Sequence, residues 1–66
     1  MIIVFNGEPR EAVQSTTVAA LLREFNLPSQ RCAVEVNLEV VPRSQHEEFK
    51  LREGDHVEVV SLVGGG

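Results

Sequence analysis

Sixty-six residues with 42% hydrophobic content, ten acidic against six basic side chains and a net charge of −4 leave room for one small domain. At this size roughly 60% of the unfolded chain's surface is buried on folding, which leaves little room for an enclosed active site. The six basic residues, Arg10, Arg23, Arg31, Arg43, Lys50 and Arg52, are scattered singly, and three Phe stand without Trp or Tyr, so the clustered cations and stacking rings of a nucleic-acid binder are missing.

No apolar run approaches the roughly 18 residues of a membrane span, and the short opening run MIIVF has neither the charge nor the length of a signal peptide. The expectation is a soluble, cytoplasmic monomer. Cys32 has no second cysteine to pair with, and His46 and His56 with one cysteine do not make a zinc set, so no metal site is expected.

Ile2 to Phe5 are continuously apolar, Asn6 and Gly7 follow, and Glu8 to Gln14 alternate. Asn-Gly between two such runs predicts strand, tight turn, strand, because both residues tolerate positive φ. Ser15, Thr16 and Thr17 offer N-cap oxygens, and Val18, Leu21, Leu22 and Phe25 then form one helical stripe ended by Asn26, Leu27 and Pro28.

Cys32, Val34 and Val36 alternate with Ala33, Glu35 and Asn37, as in a strand with one buried face. Cys32 therefore reads as a core residue and not a nucleophile. Glu39 to Val41 make a short strand. The connection Asn37-Leu38 resists a primed two-residue turn, because leucine is disfavoured at positive φ, so another turn geometry or local strain is expected. Ser44 to Glu47 match a capping box opening one polar helical turn that carries His46. Phe49 and Leu51 return to the core, Arg52 to Asp55 turn, and His56 to Val63 form the last strand.

The predicted architecture is α+β: a mixed sheet of four to five strands wrapped around one main helix, with the first and last strands adjacent at its centre. In the last strand Glu58, Val60 and Leu62 face away from the helix, and an exposed Val60 and Leu62 beside a glycine tail form a candidate docking patch. Residues 62–66, extended at about 3.3 Å each, reach roughly 16 Å from the body of the domain. Gly64, Gly65 and Gly66 lack a Cβ and can thread a tunnel too narrow for side chains. The group they would deliver is the Gly66 carboxylate, inert as an acyl donor until activated, for example as an acyl adenylate.

The closing LREGDHVEVVSLVGGG, the VNLEVVPR hairpin and the TVAALL helix start resemble the ThiS family of sulfur carriers in thiamine biosynthesis, over essentially the whole chain. Leu38 departs from that family, which often carries a turn-compatible residue there. The resemblance implies the ubiquitin-like β-grasp fold, with residues 1–63 as the domain and residues 64–66 as a flexible tail. It further implies a non-enzyme carrier that binds no cofactor stably. A ThiF-like activating adenylyltransferase would use ATP and magnesium to adenylate Gly66. Sulfur relayed by a persulfide enzyme would convert it to a thiocarboxylate, and a ThiG-like thiazole synthase would take that sulfur. Val60, Leu62 and Val63 would contact both enzymes, and Gly64 and Gly65 would permit threading. Open beside this are a sister carrier for molybdopterin synthesis, a protein-conjugating relative, and a β-grasp interaction module with a passive tail.

Overall fold

The computed structural model describes residues 1–62; the expectations for Val63, Gly64, Gly65 and Gly66 lie outside the described residues. β1 (Ile2–Phe5) and β2 (Glu8–Glu11) form the predicted hairpin, in register from Ile2 opposite Glu11 to Phe5 opposite Glu8. Asn6 at φ 48° and Gly7 at φ 85° make the two-residue primed turn that matches strand twist. β2 is shorter than the alternation to Gln14 suggested. The pairing continues only to Ala12, whose N–H donates to the Met1 carbonyl at 2.8 Å, and the chain then turns through Ser15 at φ 65°.

α1 (Val18–Glu24) starts where expected: Thr17 is extended and its Oγ1 accepts from the Ala20 N–H at 3.1 Å. Thr17→Ala is expected to cost about 1 kcal/mol in urea unfolding, the usual worth of an N-cap oxygen; no change in midpoint would mean that the cap adds nothing to stability. Val18, Ala19, Leu21 and Leu22 are buried against the sheet. The helix stops earlier than the proline suggested. Asn26 takes φ 58° and the Leu27 N–H reaches back to the Leu22 carbonyl at 2.8 Å, a left-handed cap that closes the last turn before Pro28 is reached.

β3 (Cys32–Val36) shows the anticipated alternation, with Cys32, Val34 and Val36 buried. It pairs antiparallel with β4 (Glu39–Val41), and Val36 opposite Glu39 leaves only Asn37 and Leu38 to turn the chain. Both take positive φ, 53° and 72°, so the hairpin keeps the primed turn and accepts the strain at Leu38. Asn37 shows what holds it: Oδ1 accepts from the His56 N–H and Nδ2 donates to Asp55, each at 3.0 Å.

The capping box does not form. Residues Arg43–Gln45 make a 3-10 turn after Pro42 with no side-chain cap, and Glu47 instead meets the Arg23 guanidinium at 3.0 Å on the surface. His46 is a second correction. It lies inside the molecule at 2% exposure, Nε2 donating to the Val41 carbonyl at 3.0 Å and Nδ1 facing the Ser29 hydroxyl at 3.2 Å. A carbonyl only accepts, so Nε2 carries a proton and is the donor to Val41.

β5 (His56–Ser61) runs up the middle of a five-stranded sheet ordered β2-β1-β5-β3-β4, parallel to β1 and antiparallel to β3. Ile3, Phe5, Val34, Val36, Val57 and Val59 from the sheet meet Val18, Leu21 and Leu22 from the helix in one core, closed by Val41, Leu51 and Cys32. Phe25 stacks on Phe5 at 4.6 Å between centroids, and the Arg10 guanidinium lies over the Phe25 ring at 4.9 Å from its centroid.

Candidate functional site

The end of β5 is where the sequence placed the site, and its position is set by contacts far apart along the chain. Asn6 stands beyond the last residue of β1, so β5 has lost its strand neighbour there. The side chain replaces it: Asn6 Oδ1 accepts from the Val59 N–H at 2.8 Å and Nδ2 donates to the Val59 carbonyl at 3.3 Å. On the other flank Ser61 lies opposite Cys32, and the Leu62 N–H donates to the Arg31 carbonyl at 2.6 Å. The chain is thus held as far as Val59 on the β1 flank and as far as Leu62 on the β3 flank, and residues 63–66 follow in sequence.

Val57 and Val59 bury toward the helix while Val60 and Leu62 are 58% and 66% exposed, as the alternation required. The structure brings these two predicted contact residues together at the strand end; Val63, Gly64, Gly65 and Gly66 are beyond the described residues. Val60 lies opposite Ala33, and one step down the sheet Glu58 lies opposite Glu35, itself opposite Val40 of β4. Sequence reasoning missed the part played by Asn6. Asn-Gly signalled a turn and hid a clamp, because its partner is 53 residues away.

Cys32 is a buried free thiol among valines, as its phase indicated. Among the described residues no three His, Cys, Asp or Glu side chains gather in a metal-binding group, and no helix is long and apolar enough to cross a membrane. What the strand end offers is an exposed apolar surface of Val60 and Leu62 with the Glu58 and Glu35 carboxylates one step down the sheet.

A mixed sheet ordered β2-β1-β5-β3-β4, with parallel central strands and one helix packed across it, places the chain in the ubiquitin-like β-grasp class. Its fold matches the crystal structure of a thiamine biosynthesis protein, ThiS, from Geobacter metallireducens, with a TM-score of 0.85 and 30% identity over the whole of both chains. The ThiS family model matches residues 3–66, and the chain belongs to the ThiS family.

Among curated relatives it is 35% identical to the sulfur carrier protein ThiS of Thermus thermophilus, over 98% of this chain and all of that one. It is also 46% identical over its whole length to a segment of a thiazole synthase from Paramagnetospirillum magneticum, and it spans only 20% of that protein and of a second such synthase from Magnetococcus marinus.

Proposed function

We propose that the chain is a sulfur carrier whose Gly66 carboxyl is adenylated and then converted to a thiocarboxylate that supplies sulfur to a thiazole synthase. The observation that carries the reading is the end of β5. A strand clamped through Asn6 and Arg31 leaves Val60 and Leu62 exposed, and in the sequence only Val63 separates Leu62 from Gly64, Gly65 and Gly66. Family membership and the relatives named sulfur carrier support it. The synthase partner has separate support: in the Paramagnetospirillum protein a segment like this chain and a thiazole synthase share one polypeptide.

A ThiF-like adenylyltransferase, with ATP and magnesium, exchanges the Gly66 carboxylate for an acyl phosphate anhydride, releasing pyrophosphate. AMP is then a leaving group that sulfur displaces. Sulfide gives the thiocarboxylate in that one step. A persulfide first gives an acyl disulfide, whose S–S bond a thiol must reduce. Glycines suit the approach because no Cβ holds the wall of a partner's active site away from the carbonyl. The chain's own share is positioning, with the chemistry supplied by the enzymes it visits.

Cysteine labelled at sulfur, supplied with a cysteine-derived persulfide relay and the activating enzyme, is expected to label the chain first. On addition of the host's thiazole synthase, its small-molecule substrates and a reductant, the label should leave the chain and appear in the product. Equal labelling of product with the chain omitted would contradict the reading.

A further inference from the structure

Leu38 is the most exposed large apolar residue described, at 88%, and it occupies φ 72°, a conformation leucine rarely tolerates. Strain of this kind persists only where the surroundings impose it, and here they do: Asn37 is bonded through its backbone N–H to the His56 carbonyl and through its side chain to His56 and Asp55. A glycine in place of Leu38 would complete the preferred Asn-Gly primed turn, as Asn6-Gly7 does at the other hairpin. The chain thus holds a solvated leucine at a position where its own fold favours glycine.

The sheet face that runs from this turn toward the tail is continuous with it. By the strand register that face carries Ile2, Val4, Ala33, Val40 and Val60, and its acidic groups are Glu11, Glu35 and Glu58. Val40 is 68% exposed, and no Lys or Arg holds a strand position on this face among the described residues. Glu35 directly opposite Glu58 is a like-charge pair that weakens the ladder from within and is relieved by cations from outside. The surface therefore fits a protein partner with an apolar socket rimmed by Lys and Arg.

We propose that Leu38 is an anchor for the thiazole synthase, entering an apolar socket at the end of the sheet opposite Leu62, with Val40 and the Glu35 and Glu58 carboxylates against the socket's basic rim. This rests on the synthase partnership proposed above, and the relatives that join a segment like this chain to a synthase motivate the choice of occupant. From His56, level with the turn, to Leu62 the strand spans about 20 Å, so one partner holding both ends would fix the direction in which the tail enters.

Leu38→Gly and Leu38→Asn both accept positive φ, and their binding to the host's thiazole synthase can be measured by titration calorimetry beside unfolding scans. Leu38→Gly is expected to raise Tm by about 4 °C while weakening the complex at least about ten-fold. Leu38→Asn should weaken it comparably. Retention of wild-type affinity by either variant, with the unsubstituted chain binding normally, overturns the anchor and leaves the carrier reading intact. Failure of the unsubstituted chain to bind the synthase overturns both.

Discussion

Asn6→Ala is expected to lower the unfolding free energy by about 3 kcal/mol, combining a part-buried backbone pair left without partners with the cost of alanine in the left-handed region. The substitution removes both hydrogen bonds between the Asn6 carboxamide and the Val59 backbone, at 2.8 and 3.3 Å, and leaves an alanine backbone at φ 48°. A domain this small rarely holds more than about 3–5 kcal/mol from a single core, so the variant would be largely unfolded near 37 °C. Asn6→Asp keeps the acceptor for the Val59 N–H and a side chain suited to the turn, and should fall between the two. Urea titration of all three decides it. A loss below about 0.5 kcal/mol for alanine, the level of an ordinary surface change, would mean that the β1–β5 ladder alone fixes the strand end.

Much of this arrangement is legible in the sequence where the signal is local. Asn6-Gly7 specifies a primed turn by itself, Val18, Leu21 and Leu22 can share a face only in a helix, and the alternation through Val34 and Val36 fixes which side of β3 is buried. The outward placement of Val60 and Leu62 follows from the same period of two.

Long-range partners are what the sequence conceals. Ser44 and Glu47 have the spacing of a capping box, but Arg23 from the helix takes the Glu47 carboxylate. His46 looks like a surface residue until the Val41 carbonyl and the Ser29 hydroxyl are brought to it. Leu38 argued against a primed turn. The pairing of Val36 with Glu39 left two residues to reverse the chain, and sheet register outweighed the preference of one side chain. The site divides in the same way: its apolar surface could be read from periodicity, whereas the clamps at Asn6 and Arg31 belong to tertiary structure.

The second large effect concerns Gly66, and it is all or none. Gly65 has its carboxyl locked in a peptide bond to Gly66, so the proposed adenylation uses the α-carboxyl of Gly66. Deleting Gly66 moves the new terminus one residue, about 3.3 Å, short of the position where adenylation and sulfur attack must occur. Reactions that depend on near-attack geometry lose orders of magnitude from misplacements of about 1 Å, and thiocarboxylate formation is expected to fall below detection. The fold should be unaffected, because each buried residue described lies at or before Val59.

Intact mass spectrometry of the 66-residue chain, before and after incubation with the host's activating enzyme, ATP, magnesium and sulfide, tests the carrier chemistry most directly. Exchange of the terminal oxygen for sulfur adds about 16 mass units, a gain expected for the unaltered protein and absent when Gly66 is deleted. An unchanged mass, with the same enzyme active on an authentic ThiS, would contradict the carrier reading.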